Sequence, residues 1–183
     1  TSWSFVLYFL YHKEQYKRND QYIIGLLILI SCSSFTFELF SIVVNLTYVV
    51  FVFFVSYMIS LLSLREQIVH FFKGLIIGMA YSITSMLAIY DPASFFLNEM
   101  LISSFFVLML GFFLSRLYME RMRIIFVGLV QGEIFNYITF NSVNFKYMIG
   151  DLQWVDTLFL SIAVLTAINF ISIIFARKYV ENR

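Results

Sequence analysis

The sequence predicts an all-α fold: a polytopic bundle of about seven transmembrane helices that forms one domain over residues 1–183. Composition is the first observation, because 61% of the 183 residues are hydrophobic and 13% are charged. A soluble domain has about 45–50% apolar and about 25% charged residues. A soluble fold of this length could not bury so much apolar surface, so we expect this chain to be surrounded by lipid. The other observations are a series of long apolar runs and an alternation of basic residues between them.

Six apolar runs have the length, about 20 residues, that a helix needs to cross the hydrocarbon core of a bilayer. They cover residues 22–40, 43–62, 71–90, 95–117, 124–140 and 155–176. A transmembrane β-barrel would show alternating segments of about 10 residues instead, whereas these runs are continuous, so helices are predicted. The boundary between residues 40 and 43 is the least defined, because the connection there is very short.

A further apolar run, residues 3–11, has about half the length of a span. We expect it to be the second half of a first helix whose first half precedes Thr1. A signal peptide would be followed by a cleavage site of small residues, but a charged segment from His12 to Arg18 follows this run. The first of the seven spans is therefore expected to be truncated.

Basic residues predict the orientation, because Lys and Arg concentrate in cytoplasmic loops. With seven crossings, 11 of the 12 Lys and Arg residues fall on one side of the membrane and Lys146 falls on the other. The residues of the first side are Lys13, Lys17, Arg18, Arg65, Lys73, Arg116, Arg121, Arg123, Arg177, Lys178 and Arg183. We therefore predict an outside N-terminus and a cytoplasmic C-terminus, with Trp3 and Trp154 as aromatic anchors near the outer interface.

Glu133 is the most informative single residue, because it lies near the middle of the sixth predicted span, residues 124–140. A charged group at the bilayer centre costs about 2.5–3.5 kcal/mol on insertion scales. Gln131 lies just before it, and Asn136, three residues later, shares its helix face. The three residues could form a small polar cavity with a protonatable or ligand-binding carboxyl group. Alternatively, Glu133 joins helices through hydrogen bonds.

A second candidate site is a group of acidic residues that the predicted topology places near the outer surface. Its members are Glu38, Asp91, Glu99, Asp151 and Asp156. Together they would suit a cation or a cationic ligand outside the cell. Helix capping is the alternative interpretation, because the helix dipole favours a carboxylate near a helix N-terminus, as expected for Glu99 and Asp156.

Two Gly-x-x-x-Gly patterns lie in the predicted fourth and sixth spans: Gly74 with Gly78, and Gly128 with Gly132. Small residues one turn apart allow helix backbones to approach closely. We expect these glycines to pack helices within the bundle. A contact face for another membrane protein, or for a second copy of this chain, is the alternative.

Several classes of function lack any sequence signal. The chain has no HExxH, GxSxG, P-loop or CxxC motif, so we predict no catalytic residue, cofactor or metal site. Cys32 is the only cysteine, and His12 and His70 are isolated residues expected at the surface. The basic residues are divided among four loops, which argues against a nucleic-acid surface. The lipid bilayer is the one partner that the sequence requires.

Several short motifs follow one another in a characteristic order. They are an aromatic helix ending in a Lys/Arg loop (3–18), the turn Tyr90-Asp91-Pro92, a Gly-x-x-x-Gly-Glu segment (128–133), and Ile149-Gly150-Asp151 before a final helix. This order resembles the YphA-type family of small membrane proteins from low-GC Gram-positive bacteria, over nearly the whole chain. The resemblance implies a plasma-membrane location and transfers no catalytic residues.

Two functional interpretations from different classes remain open. The first is a non-enzymatic multipass protein of a bacterial plasma membrane, which acts through a small cavity around Glu133 or through helix contacts with a partner. The second is a small-molecule carrier, such as the substrate-binding membrane subunit of a transporter. Carriers of that kind usually have six spans, so the expected seven favour the first interpretation. An intramembrane enzyme ranks third.

Overall fold

The computed structural model describes residues 31–39, 42–91, 98–143 and 145–181. Within these residues the chain forms five helices, and their bounds are α1 Leu46–Ser60, α2 Leu64–Tyr90, α3 Glu99–Leu114, α4 Tyr118–Ser142 and α5 Leu152–Glu181. The predicted truncated first span, including Trp3, and most of the predicted second span lie outside the described residues. The fold is therefore mostly helical, as predicted, while the count of seven spans stays a prediction.

A small three-stranded sheet departs from the predicted all-α fold. Strands β1 (Thr36–Leu39) and β2 (Ile42–Asn45) pair antiparallel, and β3 (Met148–Ile149) pairs parallel to β2. The predicted spans 22–40 and 43–62 were wrong where they treated these strands as helix. Their β-branched and aromatic residues favour extended backbone, but in a membrane protein the same residues also read as part of an apolar span. The sheet satisfies the backbone groups that leave the helical pattern.

Capping residues explain where the helices begin. The Asn45 side chain accepts a hydrogen bond from the Thr47 backbone at 2.8 Å and starts α1. Ser63 and Glu66 form a reciprocal capping box at the start of α2, which satisfies N–H groups that have no partner within the helix. Helix α2 therefore begins seven residues before the predicted 71–90 span. The apolar run locates the helix, but the polar cap sets its first residue.

The helices alternate in direction along the chain. Helices α2 and α4 run parallel, because Lys73 contacts Glu120 near their starts and Tyr81 contacts Glu133 further along. Helix α5 runs the opposite way to α4, since Tyr118 at the start of α4 reaches Thr166 far along α5. Each described helix therefore traverses the bundle once, as successive membrane crossings require.

Among the described residues, three helical segments are long and apolar enough to cross a membrane: Leu64–Tyr90, Tyr118–Ser142 and Leu152–Ser172. Helices α1 and α3 are apolar but shorter, with 15 and 16 residues. At 1.5 Å per residue they cover about 24 Å of a core about 30 Å thick. For α1 the shortfall lies next to β2, where the chain continues as a mostly half-buried strand instead of helix.

The four glycines of the two Gly-x-x-x-Gly patterns meet at the interface of α2 and α4. A Cβ atom on Gly78 would lie 2.8 Å from the carbonyl oxygen of Gly128 and 2.9 Å from the nitrogen of Gly132. A Cβ on Gly128 would lie 3.0 Å from the carbonyl oxygen of Gly74. The two backbones are thus in direct contact, and this contact places the rest of α2, including Tyr81, against Glu133.

Trp154 lies inside the protein and is 0% exposed. Its ring packs edge-on against Tyr48 and Phe51, each at 5.4 Å between ring centroids. The prediction that Trp154 is an aromatic anchor at the lipid interface was therefore wrong. The physical reason is that its indole N–H finds a partner within the protein, the carbonyl oxygen of Leu129 at 3.2 Å, so it needs no headgroup or water.

Candidate functional site

Glu133 is 0% exposed and lies about one turn past the middle of α4. Its Oε1 atom accepts hydrogen bonds from the hydroxyl groups of Tyr81, at 3.1 Å, and Tyr147, at 3.0 Å. Its Oε2 atom accepts a hydrogen bond from the backbone N–H of Gly150 at 2.8 Å. Both carboxyl oxygens are therefore engaged by three protein donors, one from α2 and two from the segment between α4 and α5.

Helix α2 supplies Tyr81 because the glycine contact leaves room for its ring. Tyr81 follows Gly78 by three residues and lies on the same helix face. A Cβ atom on Gly132 would lie 2.6 Å from the Tyr81 ring, so the ring occupies the space that this glycine leaves free. The contact between α2 and α4 thus determines where the Tyr81 hydroxyl meets Glu133.

The segment between α4 and α5 supplies the other two donors. The Tyr147 ring stacks on Phe140 of α4 at 5.1 Å, and its hydroxyl accepts a hydrogen bond from the Asn136 side chain at 3.2 Å. Gly150 has a φ of +74°, which L side chains rarely adopt, and a Cβ atom there would overlap the Cβ of Tyr48. Only glycine allows this backbone N–H to reach Glu133. We call Glu133, Tyr81, Tyr147, Asn136 and Gly150 the Glu133 network.

Burial controls the ionisation of the groups in this segment. Burial raises the pKa of the Tyr147 phenol, and the carboxylates of Glu133 and Asp151 raise it further, so Tyr147 is a protonated donor to Glu133. Burial also raises the pKa of Asp151, against the effect of hydrogen bonds from the backbone N–H groups of Trp154 and Gln153. The segment therefore favours neutral side chains next to Glu133.

The structure brings only part of the predicted polar site together. Asn136 joins Glu133 indirectly, through Tyr147, and its Oδ1 atom is buried without a hydrogen-bond partner among the described residues. Gln131 points elsewhere, and its amide approaches the carbonyl oxygen of Phe71 at 3.4 Å. The sequence interpretation missed Tyr81, Tyr147 and Gly150. The spacing from Gly78 could have indicated Tyr81, but the irregular segment that holds the other two gives no periodic signal.

Three of the predicted acidic residues lie near enough to interact electrostatically, Glu99 with Asp151 and Asp151 with Asp156. Glu38 is exposed on β1, and Asp91 is the C-cap residue of α2. Glu99, at the start of α3, accepts hydrogen bonds from the side chains of Ser85 and Gln153. Asp151 accepts the Trp154 backbone N–H at 2.8 Å, and Asp156 follows within α5. Over the described ranges, no group of three or more His, Cys, Asp or Glu side chains is arranged to hold a metal ion.

Two further side chains hold the α4 backbone just before Glu133. The Tyr48 hydroxyl donates to the carbonyl oxygen of Val130 at 3.0 Å, and the Trp154 indole donates to that of Leu129. These donors come from α1 and α5, and their rings pack against each other at 5.4 Å between centroids. The turn of α4 that precedes Glu133 is therefore held by two neighbouring helices at once.

Apolar helices that alternate in direction, with a carboxyl group satisfied inside the bundle, define an α-helical integral membrane protein that crosses the bilayer several times. The chain matches the family model described as YphA-like integral membrane protein over residues 1–182. It therefore belongs to this family, and the resemblance indicated by the sequence motifs is confirmed. No curated protein and no solved structure matches the chain.

Proposed function

We propose that this chain is a non-enzymatic multipass protein of a bacterial plasma membrane, in which the Glu133 network holds the helices together. One observation carries this proposal: both oxygens of the buried Glu133 carboxyl group accept hydrogen bonds from protein donors. A carboxyl group that serves a ligand or a transported cation would leave acceptor capacity directed at that ligand. The single domain, the seven crossings and the plasma-membrane location are parts of the same proposal, supported by the apolar runs and the family.

A small-molecule carrier is the second candidate, and one observation favours it. The buried Oδ1 atom of Asn136 has no hydrogen-bond partner in the described part of the chain, and it belongs to the same network as Glu133. An additional polar ligand at this position would satisfy it. In this case the Glu133 network would be one wall of a binding site as well as a contact between helices.

The variant Glu133→Gln separates the two candidates. If the network is structural, the variant should rescue the growth defect of a gene-deletion strain as well as the wild-type chain does, because the amide oxygen accepts the Gly150 N–H while the tyrosine hydroxyls rotate to accept from its amide nitrogen. The measurement is growth at membrane protein levels matched by immunoblotting. Normal protein levels without rescue would contradict the structural role and support a proton or cation carrier.

The proposed orientation has its own test, with single cysteines in a Cys32→Ser background. Arg116, in the connection between α3 and α4, and Val143, directly after α4, are both exposed, Val143 by 50%. In intact cells a membrane-impermeant maleimide should label a cysteine at 143 and leave one at 116 unlabelled. Both should react after permeabilisation, which controls for accessibility. Labelling of 116 alone in intact cells would reverse the orientation.

A further inference from the structure

An apolar groove is lined by residues of α1, α2 and α4. Its lining residues are Ile59, Gln67, Ile68, Phe71, Phe72 and Val127, and its volume is about 340 Å³. This volume is within the range of small-molecule sites, about 300–1,000 Å³. Ile68 on its edge is 58% exposed, so the groove opens sideways towards the region that lipid occupies.

A basic residue, Arg123, lies one helix turn from the part of α4 that lines this groove. Arg123 precedes Val127 by four residues on α4, so both lie on one helix face. The Nε atom of Arg123 is buried and has no hydrogen-bond partner among the described residues. Arg123 also directly precedes the apolar run 124–140, so in the proposed topology its guanidinium group lies near the level of the lipid headgroups.

A second buried group without a partner lies in the same region. His70, on α2 between Gln67 and Phe71, is 5% exposed, so the expectation that it lies at the surface was wrong. Its Nδ1 atom lies 2.7 Å from the carbonyl oxygen of Glu66, and because a carbonyl oxygen only accepts, Nδ1 carries the proton. Its Nε2 atom is buried without a partner within the described ranges. Two nitrogen atoms in this region thus have no hydrogen-bond partner among the residues that the structure describes.

The acidic side chains nearby already have other donors. Glu66 accepts hydrogen bonds from the backbone and hydroxyl groups of Ser63. Glu120 forms an ion pair with Lys73 at 2.6 Å and accepts a hydrogen bond from Ser115 at 2.9 Å. Glu66 attracts Arg123 electrostatically, but no hydrogen bond joins either carboxylate to the Arg123 Nε atom. Within the described part of the chain the Arg123 Nε–H therefore has no acceptor, and an anionic group from the surroundings would supply one.

We propose that this groove and Arg123 together form a binding site for one anionic phospholipid of the surrounding leaflet. One acyl chain lies along Ile59, Ile68 and Phe72, and the headgroup phosphate accepts from the Arg123 guanidinium group. Arginine suits this role because its planar donors match phosphate geometry. A zwitterionic lipid fills the groove equally well but gains less from Arg123, so the site prefers a net negative headgroup.

The test is native mass spectrometry of the full chain, titrated in detergent with phosphatidylglycerol or with phosphatidylcholine of the same acyl chains. The wild-type chain should bind one phosphatidylglycerol about fivefold more tightly than phosphatidylcholine, the factor that one basic residue contributes near an anionic headgroup. Arg123→Gln should remove this preference, and Arg123→Lys should keep part of it. The matched control, Arg116→Gln, removes a charge at the same end of the bundle but outside the groove, and should leave the preference unchanged.

A second variant tests the groove itself. Ile68→Trp should fill the groove from an exposed edge position without disturbing the interior. It should lower the affinity for both lipids and leave the ratio of the two affinities unchanged. Thermal melting of each variant shows whether the chain is folded. Equal affinity of the wild-type chain for the two lipids would overturn the proposal. An equal loss in Arg116→Gln and Arg123→Gln would also overturn it, because general surface charge would then explain the preference.

Discussion

Replacing Glu133 with leucine is expected to lower the free energy of unfolding by about 3 kcal/mol. The substitution leaves the hydroxyl groups of Tyr81 and Tyr147 and the buried N–H of Gly150 without their acceptor. One hydrogen bond within a membrane bundle is worth about 0.6 kcal/mol on average and up to about 1.7 kcal/mol, so three lost together give an effect of this size. Glu133→Gln should cost less than about 1 kcal/mol, because hydrogen bonding is retained.

Reversible unfolding in mixed micelles, followed by circular dichroism, measures these differences. Gln131→Leu is the matched control: it removes a neighbouring polar residue of α4 whose hydrogen bond to Phe71 is long, at 3.4 Å, so it should change stability by less than about 1 kcal/mol. Tyr81→Phe and Tyr147→Phe, alone and together, show whether the two hydroxyl groups act on Glu133 as a unit. Equal costs for the leucine variants at 131 and 133 would contradict the role assigned to the network.

Gly78→Ala should also be strongly destabilising, by about 3 kcal/mol, at the upper end of the cost of overpacking. The added Cβ would approach backbone atoms of Gly128 and Gly132 within 3 Å, and backbone atoms yield only if α2 and α4 separate. Separation would also draw Tyr81 away from Glu133. The effect on stability therefore combines packing with part of the Glu133 network.

Gly111→Ala is the control for Gly78→Ala. Its Cβ would lie 2.9 Å from the Cδ1 atom of Ile125, the end of a flexible side chain that can change rotamer. Alanine also favours helix over glycine by about 0.8–1.0 kcal/mol, so this variant should be close to neutral. The same unfolding assay compares the two, and a Gly78→Ala variant as stable as Gly111→Ala would show that the close contact of α2 and α4 is unimportant.

The helices of this fold could be predicted because their signals are local. Long apolar runs locate α2, α4 and α5, and the four-residue spacing of Gly74 and Gly78 marks a face for close packing. Glu133 stands out because a carboxyl group is rare in an apolar run. Each of these signals lies within one helix and needs no knowledge of its neighbours.

The remaining features depend on contacts between distant parts of the chain. The sequence predicts an apolar span at Thr36–Leu39 and Ile42–Asn45. These segments become strands only through pairing with each other and with β3. Tyr147 and Gly150 gain their roles from facing Glu133, which no spacing in the sequence encodes. Trp154 has the composition of an interfacial anchor, but the carbonyl oxygen of Leu129 satisfies it inside the protein.

The parallel pairing of β2 with β3 sets an order on membrane insertion. Val44 pairs with Ile149, so one edge of β2 stays unpaired until the ribosome has made the later strand, about 100 residues on. At about 5–20 residues per second this delay is about 5–20 s, during which α2, α3 and α4 can enter the bilayer one after another. The backbone donors and acceptors at that edge must meanwhile rely on water or on the insertion machinery. The sheet in the nascent chain therefore remains incomplete until residues 148 and 149 pair with β2.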